Sequence, residues 1–139
     1  MKTITNESIS IEECEIMFKK SVSEAINQGI GISFCVVDTS GVLKYFSRMD
    51  NAPLISIDAS RKKAVTAIGF GMPTGEPWYN FIKDDPILNN GVENITDFML
   101  LGGGFPIIKD DKVIGAIGIS GGHYKQDEAC CKAALDEEQ

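Results

Sequence analysis

The chain has 139 residues, 43% hydrophobic and 24% charged, with 13 basic against 20 acidic side chains and a net charge of −7. That is one domain of ordinary soluble composition, large enough to bury about two thirds of its unfolded surface without staples. The acidic balance, with Arg61-Lys62-Lys63 as its basic cluster, lacks the cationic footprint that nucleic acid demands, and no apolar run approaches the ~20 residues of a membrane span.

The start, Met1-Lys2-Thr3-Ile4-Thr5-Asn6-Glu7, lacks the apolar stretch of a signal peptide, so the cytoplasm is the expected compartment. Cys14, Cys35, Cys130 and Cys131 show no C-x-x-C spacing and read as free buried thiols. With these and a single histidine, a structural zinc site is not expected.

Ser10-x-x-Glu13 reads as a capping box, with Ile9 placed to staple onto Cys14. Ile11, Cys14, Met17, Phe18, Val22, Ala25 and Ile26 recur at helical spacing up to Gly29, which predicts a helix over roughly 10–28. Ile32–Asp38, the Thr39-Ser40-Gly41 turn and Val42–Met49 predict a hairpin. Ile55–Phe70 reads as a second helix and Glu76–Lys83 as a short third one. Residues 84–94 read as polar loop or broken helix. Phe98–Leu101 is expected to start a strand, interrupted by Gly102-Gly103-Gly104 and resuming over Phe105–Lys109. Asp110-Asp111 turns it into a partner strand over Lys112–Ser120, and a last helix is expected from about Gln126 to Glu137.

The order α-β-β-α-α-β-β-α, with tight turns joining consecutive strands, gives an α+β fold. It predicts a single antiparallel sheet of four or five strands flanked by helices, and no doubly wound Rossmann sheet. Residues 1–139 read as a single domain.

Seven glycines fall within residues 102–122, and the run ends at the lone histidine, His123. Glycine costs backbone entropy in a strand, so the cluster implies positive φ, a bulge, or close approach by a ligand or another backbone. Gly118-Ile119-Ser120-Gly121-Gly122 matches the G-x-S-x-G nucleophile elbow. His123 lies only three residues after the serine, however, and the chemistry takes its base from a distant loop after an intervening acid. Gly115-x-x-Gly118-x-x-Gly121 lacks the parallel βαβ setting of a dinucleotide loop. Both matches are set aside.

His123-x-x-Gln126 has capping-box spacing, although imidazole caps less well than a hydroxyl. The bland reading is an exposed loop histidine at a helix start. The functional one is an axial metal ligand, to heme or a corrinoid, through a neutral imidazole nitrogen. Arg61 and Lys63 read either as a solvated helix face or as cations for a carboxylate or phosphate among small neighbours. Trp78, Tyr79 and Phe81 read as core or interface anchors.

Four blocks carry a resemblance. They are Arg48–Ala59, Lys63-Ala64-Val65-Thr66-Ala67, Gly102-Gly103-Gly104-x-Pro106-Ile107, and Gly115–Gly122 followed by Gln126-Asp127-Glu128. In this order they resemble the GlcG/HbpS-like family, over roughly residues 9–138. That family includes a secreted heme-binding protein and the C-terminal domain of PduO-type corrinoid adenosyltransferases. The resemblance implies a profilin-like, PAS-like fold and a homo-oligomer, often an octamer. It also implies a small-molecule-binding accessory protein for a tetrapyrrole (heme or corrinoid) beside diol or glycolate metabolism.

Where the family pattern continues Ser-Gly-Gly-Thr, this chain has His123, at a place linked in the family to heme contact. On this reading Lys63 and Arg61 meet acidic groups of the ligand. The Gly103, Gly104, Gly121 and Gly122 backbones allow its close approach, and His123 is the candidate metal ligand. Two alternatives stand beside it: an enzyme or enzyme partner in corrinoid adenosylation or reactivation, and a purely structural oligomer. No paired carboxylates, metal cluster or triad points to intrinsic catalysis.

Overall fold

The computed structural model describes residues 1–136. Helix α1 (Ile11–Gln28) is capped by Ser10, whose side chain accepts from the Glu13 N–H, and stops at Gly29 with φ 73°. Ile9 and Cys14, the two ends of the expected staple, lie in the same buried cluster. Strands β1 (Ser33–Val37) and β2 (Leu43–Arg48) form the first hairpin, and α2 (Ile55–Phe70) follows. The 84–94 segment is a broken helix. After α3 (Glu76–Ile82) it forms α4 (Pro86–Gly91), capped by Asp85, and a 3-10 turn over Val92–Asn94.

Strands β3 (Gly104–Lys109) and β4 (Lys112–Ser120) form the second hairpin, turning on Asp110 and Asp111 at φ 49° and 62°. Helix α5 (Tyr124–Ala134) closes the fold; it starts two residues earlier than expected, and Glu137 lies outside the described residues. The four strands form one antiparallel sheet in the order β2-β1-β4-β3.

The expected strand at Phe98–Leu101 does not form. Its backbone groups find other partners: the Met99 N–H donates to Thr66 Oγ1 (2.9 Å), and the Leu100 carbonyl accepts from the Gly75 N–H (2.7 Å). Its apolar side chains serve a satellite core, where Phe98 and Leu100 pack against Trp78, Ile82 and Val92. A β-prone apolar run was thus captured by a loop role, because α2 and the start of α3 each offered a hydrogen bond and the Trp78 cluster a hydrophobic seat.

The sheet is covered on both faces. Phe34, Val36, Ile117 and Ile119 face α1 and α5, in the main core with Cys14, Met17, Cys130 and Cys131. The alternate residues Cys35, Val37 and Ala116 face Ala64 and Ala67 of α2. All four cysteines are buried and free.

Helix α2 approaches the sheet unusually closely. Gly104 and Gly118 are register partners. A side chain on Gly104 would strike the Lys63 carbonyl, and one on Gly118 would strike the Ser60 carbonyl and sit 2.6 Å from the Ala64 nitrogen. The paired glycines form a bare window on which the α2 backbone rests at Ser60, Lys63 and Ala64. The close approach that the glycine run implied is made here by the chain's own backbone.

Gly118→Ala should therefore destabilise by about 2–3 kcal/mol through overpacking. Gly69→Ala, also in a glycine of the fold but with nothing within 4 Å of its Cβ position, should be neutral or stabilising by up to about 1 kcal/mol. Urea unfolding of both variants checks the contrast.

Candidate functional site

The site grows from the end of β4. There Gly121 and Gly122 lead into His123, the N-cap of α5. The His123 N–H donates to Gln126 Oε1 (3.0 Å), and the ring Nδ1 accepts from the Lys125 N–H (3.1 Å). The imidazole stacks on the Tyr124 ring, with centroids 4.3 Å apart and planes 34° from parallel. Histidine thus fills the hydroxyl's place in the capping box and leaves the ring exposed at the surface.

Asp127, one turn into α5, holds the approach to this cap. Its Oδ1 accepts from the Gly122 N–H (2.9 Å), and its Oδ2 from Lys63 Nζ (2.9 Å). Lys63 also donates to the Ile119 carbonyl (2.8 Å). Both side chains of this ion pair are 2% exposed. Burial pushes the Asp127 carboxyl upward, opposed by the Lys63 charge and by the Gly122 and Gly121 N–H donors.

Lys63 reaches from α2, on one face of the sheet, to α5 on the other. Gly103 makes this possible. It has φ +117°, and a Cβ there would lie 3.0 Å from both Lys63 Nζ and Asp127 Cβ. A side chain at Gly121 would strike the Gly31 carbonyl, and one at Gly122 would come within 2.6 Å of Gln126 Oε1.

The structure therefore gathers Lys63, Gly103, Gly121, Gly122 and His123 around Asp127, with Gly104 just beyond under α2. Lys63 is spent on Asp127 inside the fold, where a ligand carboxylate does not reach it. Arg61 lies elsewhere. It grips Asp97 with both guanidinium arms (3.2 and 3.1 Å) and also Asp58 (3.0 Å), fastening the 95–99 loop to α2. These hydrogen bonds, to Asp97 first, raise its already high pKa further.

Beside this constellation lies a cleft of about 340 Å³, lined by Gly75, Glu76, Tyr79, Leu100, Leu101, Gly102 and Tyr124. Its lining is mostly apolar, with two phenol rings and one carboxylate, and Tyr124 links it to the His123 ring. A larger groove of about 510 Å³ opens at the other end of β3 and β4, near Ile9, Met17 and Ile114. Its cations are already engaged, Lys20 with Asp136 and Lys109 with Glu7. None of the motif glycines lines it, nor does His123, whereas Gly102 and the His123 neighbour Tyr124 line the smaller cleft, which is the candidate site.

Sequence reasoning took Tyr79 for a core or interface anchor and passed over Tyr124, since nothing in the spacing of one residue from α3 and one from α5 announces a shared wall. It also passed over Asp127 and Glu128 as individual groups, although both stand in the resemblance block. The Glu128 carboxylate covers Gly102 and lies 2.8 Å from the Gly75 Cβ position. Burial raises its pKa above the ordinary 4.5, with Lys132 opposing and Glu76 adding to the rise.

Two predictions follow from these contacts. Lys63→Met leaves Asp127 buried without its counter-ion and should cost about 3–5 kcal/mol in denaturant unfolding. Adding Asp127→Asn removes the orphaned charge while keeping an acceptor for Gly122, so the double variant should be more stable than the single one. For Glu128, a folded pKa above the unfolded one means that stability is lost as pH rises from about 4.5 through the folded value. Glu128→Gln should raise the melting temperature at pH 7 and leave it unchanged near pH 3.5, as thermal melts across pH will show.

Comparison with known proteins places this geometry. A family model described as haem degrading protein HbpS-like matches residues 9–136. The chain is 32% identical over 129 residues to an uncharacterized 15.0 kDa protein in the dhaT-dhaS intergenic region of Citrobacter freundii, covering 93% of this chain and 91% of that one. It is 27% identical over 130 residues to the corrinoid adenosyltransferase PduO of the same organism. That match covers 92% of this chain and 38% of PduO, so the chain spans well under half of that relative.

Among solved structures, Klebsiella pneumoniae ORFY has a TM-score of 0.88 at 29% identity, covering 98% of this chain and 94% of that chain. A PduOC–heme complex has a TM-score of 0.86 at 25% identity, covering 93% and 94%. Matched over nearly its whole described length, the chain belongs to the HbpS-like family.

Proposed function

We propose that this chain binds a tetrapyrrole, heme or corrinoid, in the cleft between Tyr79, Leu100, Leu101 and Tyr124, with His123 at its rim. The observation that carries the reading is the cleft itself: apolar, walled by two phenol rings, and adjoining the glycine-histidine turn. At about 340 Å³ it lies at the small end of the ~300–1,000 Å³ range of ligand pockets, which suits one edge of a flat macrocycle with the other edge in solvent. The residues fit such a group: Tyr79 and Tyr124 offer stacking faces and oxygen donors, and His123 a polar contact at the open side. Bound there, the macrocycle would supply its metal's redox or ligand-exchange chemistry.

The other motif residues hold the site rather than reach the ligand directly. Lys63 and Asp127, passing Gly103, fasten Gly121 and Gly122 and so aim the turn that presents His123. Gly104 keeps α2 seated behind it. Arg61 holds the 95–99 loop that leads into the Leu100–Gly102 wall. Similarity to a structure described as a PduOC–heme complex supports the ligand class. Similarity to a protein from a dhaT-dhaS intergenic region supports an accessory place in diol metabolism.

The proposal includes a cytoplasmic location and a homo-oligomer, the latter supported by exposed apolar side chains at Leu54 and Ile55, 78% and 74% exposed. A role in corrinoid adenosylation draws on the PduO similarity. Turnover of cob(I)alamin with ATP by the isolated chain would favour that second reading.

Hemin titration tests the first. The Soret band should shift on binding, and hemin at about 100 times its Kd should stabilise the fold by about 2.7 kcal/mol. Tyr124→Ala should weaken binding about three- to tenfold, in line with a lost aromatic contact. Absence of any Soret shift with the wild-type chain would overturn the proposal.

A further inference from the structure

His123 is the residue where the metal-ligand expectation meets a structural obstacle. Its Nδ1 accepts the Lys125 N–H at 3.1 Å. An accepting ring nitrogen carries no proton, so in the neutral imidazole the proton sits on Nε2. A nitrogen that bears hydrogen has no free lone pair to give a metal. The ring is also held in place: Tyr124 stacks on it at 4.3 Å, and the backbone leading into it is tied by Gln126 Oε1 and Asp127 Oδ1. Among the described residues no protein group accepts from Nε2.

We infer that His123, in its capping position, meets the bound macrocycle as a hydrogen-bond donor through Nε2–H and is not a ligand to its metal. The inference rests on the tetrapyrrole reading of the cleft and specifies the chemistry of its rim. Charged and polar edges of a ligand stay on the solvent side, because burying them unpaired is costly. The exposed His123 ring stands on that side. Its partner is therefore an oxygen acceptor on the polar edge, in hemin a carboxylate. Metal ligation through this ring would require giving up Nδ1 as the cap acceptor for the Lys125 N–H.

Two measurements test this. Long-range proton–nitrogen correlation on the apoprotein is unambiguous, since the chain has one histidine. It should show the proton on Nε2, and a proton on Nδ1 would overturn the inference.

Hemin titrations should then compare His123→Asn, which can both cap and donate, with His123→Ala, which can do neither. The asparagine variant should keep the wild-type Soret position and visible bands, with affinity within about threefold. The alanine variant should bind about three- to tenfold more weakly, as expected for one lost hydrogen bond, with the bands unmoved. Hemin dimethyl ester, whose ester carbonyls are weaker acceptors than carboxylates, should show a smaller difference between wild type and His123→Ala than hemin does.

Loss of the iron-ligation bands in both variants would sink the inference. Failure of hemin to bind the wild-type chain would sink the cleft reading instead, and the ring tautomer distinguishes the two failures.

Discussion

The fold turns on the way Lys63 crosses from one layer to the other. Helix α2 can lie against the sheet only because Gly104 and Gly118, paired across β3 and β4, present no side chains to its backbone. That close seat brings Lys63 to the sheet end, where Gly103 is bare as well, and lets its amine reach Asp127 on α5 at 2.9 Å. A buried ion pair is a poor source of net stability, since desolvation offsets most of the attraction. Its value here is geometric. It specifies how α2, β4 and α5 meet, and an error at any of them leaves a charge buried without its partner.

The candidate site inherits its shape from this junction. Asp127 takes Lys63 with one oxygen and the Gly122 N–H with the other, so the same carboxylate that joins the layers also sets the turn before α5. The turn sets the cap, and the cap sets the His123 ring. Tyr124, the first residue of α5, then forms one wall of the cleft, while α3 and the 100–102 segment form the other. The glycines expected to admit a ligand instead admit the protein's own backbone and Lys63. The cleft proposed for the ligand lies alongside them, over Gly102 and Gly75.

Much of this was legible in the chain. The helix over 11–28 announced itself by its capping box and apolar spacing, and the Asp110-Asp111 turn by two β-rich flanks. The second helix, Ile55–Phe70, has the bounds that its pattern predicts. The four resemblance blocks pointed to the family. What misled was local propensity without knowledge of partners. Phe98–Leu101 has strand-forming residues, but Thr66 and Gly75 take its hydrogen bonds and the Trp78 cluster takes its side chains. Arg61 and Lys63 looked alike as surface cations two positions apart. Helical geometry sends them to different neighbours, Arg61 to Asp97 and Lys63 inward to Asp127.

The sequence by itself determined the α+β order, the single antiparallel sheet, the family, and the turn that ends at His123. These rest on periodicity, capping and turn chemistry, which act between residues close along the chain. Tertiary structure alone decided that Lys63 is internal and that Tyr79 and Tyr124 share a cleft. Those outcomes depend on contacts between segments tens of residues apart, and on distances of a few ångströms that no local pattern encodes.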